Sequence, residues 1–336
     1  MYLEVKRYQS ENNKYADLAG LMHEKYYDAK NFDYFMGDVE KSFDYCVRNK
    51  NIHFEQITVY AGQHLKGHIA LIKDTRLKQS SAFFGFFETA NNSDVFNLLW
   101  NDLIDAAKRK GVTNLMGPVD GSIWHQYRVV EQSDGSDFFK SERICEPYYY
   151  NLLISKEAHT KVSYYSAYRE KYDAILDAGK QSYRKLSGTG FSIQEIKNVG
   201  LDNIRAIVSL SKRVFQNSWG FTELTDEEFI QLYSTKKLES HLSKLYFLYK
   251  DDKLVGFSST LKENDSTRIF KTICILPAYH GLGLGNAMAY KVHLDAKENG
   301  VKKVIYALIR EDNNIRNFPK EGAVIFRTYT TFEFLI

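Results

Sequence analysis

Proline is nearly absent, with four residues in 336, and no segment is low in complexity. Long disordered or proline-rich stretches are therefore not expected. Cysteine is equally scarce. Cys46, Cys145 and Cys274 are far apart, form no CxxC pair and cannot all pair with one another, which excludes a disulfide framework and suits a reducing compartment. Net charge is also missing: 45 basic against 42 acidic residues leave +3, so nothing global favours nucleic acid or an anionic membrane surface. No run approaches the roughly 18 apolar residues of a membrane span, and the opening MYLEVKRYQSENNKY lacks the apolar core of a signal peptide. The expectation is a cytoplasmic protein with no nucleic-acid or membrane partner. The nine histidines show no metal spacing such as HExxH, and no metal is expected.

What is plentiful is aromatic: 24 Tyr and 22 Phe within a composition otherwise ordinary for a globular chain. At about 100 to 200 residues per domain, the length suggests two domains. The spacings point the same way. Gly67 lies 44 residues before Gly111 (111 − 67), and Gly256 lies 44 before Gly300 (300 − 256). Each pair brackets strand, strand, strand and helix, followed by a β-like run, VTNLMG or VKKVIYALI. Val95, Leu98, Leu99, Leu103 and Ala106 share one helical face, with Asn92 or Ser93 as cap and Gly111 at the exit. LTDEEF reads as a capping box, Thr225 with Glu228, and a staple from Leu224 to Phe229. The second half reads β, α, α, β, β, β, α, β, with AVIFRTYTTFEFLI as a closing strand or pair. The boundary falls where a helical stretch ends in Ser187, Gly188, Thr189 and Gly190. This gives a domain at 1–170, a linker at 171–190 and a domain at 191–336.

The most informative stretch is ILPAYHGLGLGNAM, residues 275–288. A strand ends at Pro277, Gly281, Gly283 and Gly285 alternate, and a helix starts. Such a turn gathers backbone N–H groups that have no intrahelical partner, and the helix dipole adds roughly half a positive charge, which makes an anion site. Neither the Rossmann G-x-G-x-x-G nor the Walker pattern is met. The offset of 189 residues (256 − 67) maps this loop onto NNSDVF, residues 91–96, which has no glycine and carries Asp94 at the helix start.

These residues resemble the acyl-CoA signature of the GNAT N-acetyltransferase superfamily, a strand ending V-x-P followed by R/Q-x-x-G-x-G/A. His280 stands in the Arg/Gln place, and Gly283 and Gly285 fill the two small positions. The resemblance implies an α/β (α+β) fold of two tandem GNAT-like domains, each a mixed, mostly antiparallel twisted sheet flanked by helices, with the first copy having lost its cofactor. NLMGPVDGSIW and EPYYYNLL are similar to the first halves of such tandem proteins. It further implies acetyl-CoA (coenzyme A) as donor, with His280, Gly281, Leu282, Gly283, Leu284, Gly285 and Asn286 around the pyrophosphate and Ile273, Cys274 and Ile275 along the pantetheine arm. Asn313 or Asn314 takes the family's asparagine place.

The family's acid, a tyrosine four residues before a glycine, is replaced by Phe318 ahead of Gly322, and Pro319 interrupts the helix expected there. Replacement acids are Tyr329 and Tyr306. Glu263 and Asp265 are candidate bases, through direct contact or water, or else solvated turn residues. Cys274 reads as a buried small residue and not as a nucleophile. Trp219 and Phe221 either line a pocket for a small-molecule amine between the halves or belong to the core. The expected activity is acyl transfer from acyl-CoA to an amine by direct attack. A CoA-binding protein without catalysis, and an aminoacyl-tRNA dependent transferase of similar fold, stay open as alternatives.

Overall fold

The computed structural model describes residues 2–10, 14–78, 80–232, 241–313, 315 and 318–336. The chain divides into two compact units, one of residues Met1–Ser163, Trp219–Thr222 and Thr328–Ile336, the other of Tyr164–Ser218 and Glu223–Arg327. The C-terminal nonapeptide and the tetrapeptide Trp219–Thr222 thus count with the first unit, where the sequence pattern places both in the second half.

The first unit runs β1 (Leu3–Gln9), α1 (Tyr15–Tyr26), α2 (Phe32–Arg48), β2 (Ile52–Ala61), β3 (His64–Asp74), β4 (Ser81–Thr89), α3 (Ser93–Arg109), β5 (Asn114–Gly117), β6 (Val129–Ser133) and α4 (Tyr148–Ile154). β7 (Thr160–Arg169) carries the chain out of it. In the second follow α5 (Asp173–Arg184), β8 (Phe191–Glu195), α6 (Leu201–Phe215), α7 (Asp226–Leu232), β9 (Leu242–Lys250), β10 (Lys253–Asn264), β11 (Thr267–Ile275), α8 (Leu284–Glu298) and β12 (Lys303–Arg310). β13 (Ala323–Leu335) brings the chain back, as one strand.

Within the first unit the strands lie in the order β1-β2-β3-β4-β5, with Phe332–Leu335 of β13 beyond β5; within the second the order is β7-β12-β11-β10-β9-β8. Pairing is antiparallel except for β4 with β5 and β11 with β12. The repeat is therefore real, and its glycines have equivalent places. Gly67 on β3 faces Thr89 on β4, and Gly256 on β10 faces Ile275 on β11. Close packing explains both: a Cβ on Gly67 would lie 2.6 Å from Leu99 Cδ1, and one on Gly256 would lie 2.6 Å from the Cys274 carbonyl oxygen.

Gly111 and Gly300 close the two long helices at φ 66° and 68°. In each case the next residue, Val112 or Val301, bonds back to Ala107 or Ala296 (3.0 and 2.9 Å) and is buried, the Schellman ending with its hydrophobic contact. The expected caps also form. Asn92 accepts from the N–H groups of Asp94 and Val95, and Thr225 and Glu228 exchange both capping-box bonds (2.6 and 3.2 Å).

Each unit has its own core. That of the first packs Phe35, Phe43, Phe54, Phe83 and Phe86 under α1 and α2. That of the second packs Ile207 and Leu210 of α6 and Met288, Ala289, Val292 and Ala296 of α8 on strands β9 to β12.

Candidate functional site

β11 ends at Ile275, a 3-10 turn follows at Pro277–Tyr279, and α8 begins after Gly283. Gly281 and Gly283 have φ of 80° and 75°, a left-handed conformation that side chains resist, so the loop requires glycine at both places. The first intrahelical bond is Ala287 N to Gly283 O at 3.1 Å. The N–H groups of Leu284, Gly285 and Asn286 precede it and have no helical partner. No acidic residue occupies the first turn of α8, whereas the first turn of α3 has Asp94. The loop is a cradle for an anion.

His280 does not stand ready for a phosphate. Its Nε2 donates to the Ile275 carbonyl oxygen at 2.9 Å, tying the turn to the end of β11. The imidazole therefore shapes the loop, and the groups left to meet an anion there are the backbone amides.

Parallel pairing between β11 and β12 stops at Phe270 opposite Tyr306. Past that point β12 shifts register against β7 between Tyr306 and Ile309, and Leu308 takes φ 56°. Among the described residues, 272–275 then pair with β10 and with no other strand. The Leu276 N–H turns toward β10, donating to Val255 O at 2.9 Å. By strand alternation the N–H and C=O of Ile273, and the N–H of Ile275, point to the opposite edge. This edge runs directly into the glycine loop. Cys274, between them, faces inward; burial pushes its thiol up to about 12, which rules out a thiolate nucleophile near neutral pH.

The corresponding edge in the first unit is occupied by the unit's own side chains. β4 and β5 part after Phe83 opposite Met116. The Phe86 N–H then donates to Asp120 Oδ1 (2.6 Å), and Arg143 Nη2 donates to Phe87 O (3.1 Å). Tyr149 Oη accepts from the Thr89 N–H (3.1 Å), while Lys25 Nζ and Tyr148 Oη donate to Thr89 O (2.6 and 2.7 Å). Glu88 anchors this set, accepting from Tyr149, Tyr26 and Arg143. These bonds take up the Phe86 N–H, the Phe87 C=O and both backbone groups of Thr89, and the loop that follows has no glycine.

The remaining candidates are dispersed. Glu263 is buried on β10, and its neighbours in the chain face Arg268 and Thr267 at the far end of the hairpin. From Arg268 to Ile273 is five residues, about 17 Å of strand, so the structure does not bring Glu263 to the loop. Asp265 is fully exposed and pairs with Lys262 (2.7 Å). Tyr306 lies in the core, its hydroxyl donating to His293 Nε2 (2.7 Å). Tyr329 belongs to the first unit, buried and donating to Glu142. Trp219 and Phe221 also belong to the first unit. There Trp219 donates to Glu333 (2.6 Å) and stacks on Tyr127, while Phe221 meets the edge of Trp124. Phe318 packs against the core of the second unit, and residues 318–322 form no helix. Asn314 lies outside the described residues; Asn313 caps its own turn by accepting from Ile315 N.

Sequence reasoning missed the contribution of α5. Gly179 packs on α8 so closely that a Cβ there would lie 2.8 Å from Asn286 O, and Ser182 Oγ lies 3.2 Å from where a Cβ on Gly283 would be. No local pattern signals so distant a contact.

Residues 204–318 match the model of the Acetyltransferase (GNAT) family. The match spans about a third of the chain and falls within its second half. No curated protein matches the sequence. Among solved structures, a tandem GNAT protein from the clavulanic acid biosynthesis pathway, without AcCoA, is 13% identical with a TM-score of 0.60, over 99% of this chain and 98% of that one. A protein of Enterococcus faecalis V583 described as a probable N-acyltransferase is 8% identical with a TM-score of 0.60, over 100% of this chain and 73% of that one. A GCN5-related N-acetyltransferase from Anabaena variabilis ATCC 29413 is 11% identical with a TM-score of 0.56, over 97% and 72%. At these identities the shared property is the fold, and the whole chain has the tandem GNAT arrangement. Among the described residues no group of three or more His, Cys, Asp or Glu is placed to hold a metal, and no helix is long and apolar enough to cross a membrane.

Proposed function

We propose that the chain is an acyl-CoA dependent N-acyltransferase with one cofactor site, on the second unit, transferring an acetyl or other acyl group to the amine of a small-molecule acceptor by direct attack. One observation carries this reading: a strand edge, Ile273 to Ile275, with no strand partner among the described residues leads into a glycine loop whose first amides precede the helical bonding of α8. The fit to the cofactor is chemical. The amides of Leu284 to Asn286 suit the pyrophosphate, and the N–H and C=O of Ile273 with the N–H of Ile275 suit the amides of pantetheine. A bound acyl-CoA would supply an activated thioester; the chain's part is to hold it extended and to keep the carbonyl in a fixed place for attack.

The test is a thermal melt with and without acetyl-CoA. Ligand at about a hundred times its dissociation constant stabilises by roughly 2.7 kcal/mol, and a rise in Tm is expected. Gly283→Glu should melt without a ligand shift, because it puts a carboxylate in the cradle and a side chain at φ 75°. Release of CoA thiol with a panel of amines then tests transfer. Phe318, packed against the core and standing where the resemblance puts the family's acid, favours a second reading, CoA binding without transfer. A ligand shift with no thiol release on any amine would support it.

A further inference from the structure

We infer that Ser182, on α5, is a side-chain ligand of the anion held by the glycine loop, an inference that rests on the loop being an anion site. α5 ends at Arg184, well before the segment 204–318 that matches the family, so the loop motif does not announce it. The contact follows from the way α5 packs along α8. At the start of α5 the Tyr172 hydroxyl donates to Val301 O (3.0 Å), just beyond the end of α8, and Asp173 pairs with Lys297 (3.0 Å). Near its end Tyr183 packs on Tyr290, with ring centroids 5.1 Å apart. The two helices therefore run antiparallel, and the last turn of α5 lies against the beginning of α8.

Glycine permits this approach. Gly179, three residues before Ser182, carries no side chain, and a Cβ there would lie 2.8 Å from Asn286 O. Ser182 Oγ lies 3.2 Å from where a Cβ on Gly283 would be, and so within about 5 Å of Gly283 Cα, one bond further. Leu284, whose amide is the first of the three that precede the helical bonding of α8, is the next residue.

The hydroxyl has no other engagement. Serines on helices often bond back to a carbonyl of the preceding turn, as Ser42 does to Asp38 O and Ser155 to Leu152 O (both 2.7 Å). Ser182 makes no hydrogen bond among the described residues, and it is half-buried, with one side open to a ligand. A diphosphate diester has more non-bridging oxygens than the amides of Leu284, Gly285 and Asn286 can each meet once. A hydroxyl beside Gly283 adds a donor on a side chain with a single heavy-atom rotor, which costs little entropy to hold. The stretch 171–190, which reads in the sequence as a linker, would then supply part of the site.

The experiment is calorimetric titration of acetyl-CoA into the wild type, Ser182→Ala and Ser182→Asp, with the ligand-free Tm of each protein. Ser182→Ala should keep its Tm, since it removes a hydroxyl with no partner, and should bind about tenfold more weakly, the lower end for a hydrogen bond to a charged group. Ser182→Asp sets a carboxylate beside the phosphates and should bind more weakly still, by about a hundredfold or more. Affinities of both variants within about twofold of the wild type would overturn the assignment. So would a loss of affinity in Ser182→Ala that comes with a fall in the ligand-free Tm, which would make Ser182 a packing residue. Failure of the wild type to bind acetyl-CoA would sink the reading of the loop as well, an outcome distinct from wild-type binding that the variants leave unchanged.

Discussion

Two buried histidines report on stability at the level of single groups. His68 donates from Nδ1 to Phe86 O (2.8 Å), and His293 donates from Nδ1 to Ala289 O (2.7 Å) and accepts from Tyr306. Burial lowers each pKa to about 4. The unfolded chain, with histidines near 6.5, binds protons that the folded chain refuses, so stability rises with pH through this window and falls on acidification from about 6.5 to about 4. Each ring accounts for about 1.4 kcal/mol per pH unit there. Urea titrations at pH 7.0 and 5.0 should show the loss for the wild type, and His293→Gln should reduce it; equal slopes would contradict the assignment of His293 as a neutral core group. Arg143 is the other decisive residue. It joins Asp120 and Glu88 inside the first unit (3.1 and 3.3 Å), and removing one member of a buried ion cluster leaves uncompensated charge. Arg143→Met should cost about 3–5 kcal/mol in denaturant unfolding. A loss below about 1 kcal/mol would mean that the filled edge of β4 is not held by this network.

At the scale of elements, α8 is positioned by α5 as well as by its own sheet. Gly179→Ala gains about 1 kcal/mol of helix propensity, but its Cβ would lie 2.6 Å from Tyr290 Cβ, and overpacking of that kind costs about 1–3 kcal/mol. The clash should win, lowering stability and weakening acetyl-CoA several-fold through displacement of Asn286. Unchanged affinity would separate α5 from the cofactor site. The β10–β11 hairpin sets a second expectation. Since Glu263 sits about 17 Å of strand from Ile273, Glu263→Gln should change kcat less than tenfold, against the 10²- to 10⁴-fold expected of a general base. Elements were legible in the sequence where local chemistry marks them. Thr225 with Glu228, Asn92 and the glycines at 111 and 300 gave the caps and exits of α7, α3 and α8. α1 and α2 carry no such mark: Lys14 and Asn31 precede them without a side-chain cap bond, and Asn31 is left-handed. The packing of α5 and the filling of the β4 edge depend on pairs such as Lys25 with Thr89 and Arg143 with Phe87, distant in sequence and invisible to any local pattern.

For the whole chain, the two units share one plan and differ at one place. Past the point where the parallel pair parts, β11 presents free backbone groups and a glycine loop, and β4 presents groups already bonded to Asp120, Arg143, Tyr149, Lys25 and Tyr148. The missing glycines in NNSDVF made half of this contrast readable in advance; the side chains that fill the first edge come from three separate segments and were not. On the proposed function, two copies of the fold would thereby carry one cofactor site. Calorimetric titration of acetyl-CoA into the full chain tests that most directly. The expected stoichiometry is one ligand per chain in the wild type and none in Gly283→Glu with its fold intact. Two ligands per chain, or binding that survives Gly283→Glu, would contradict it.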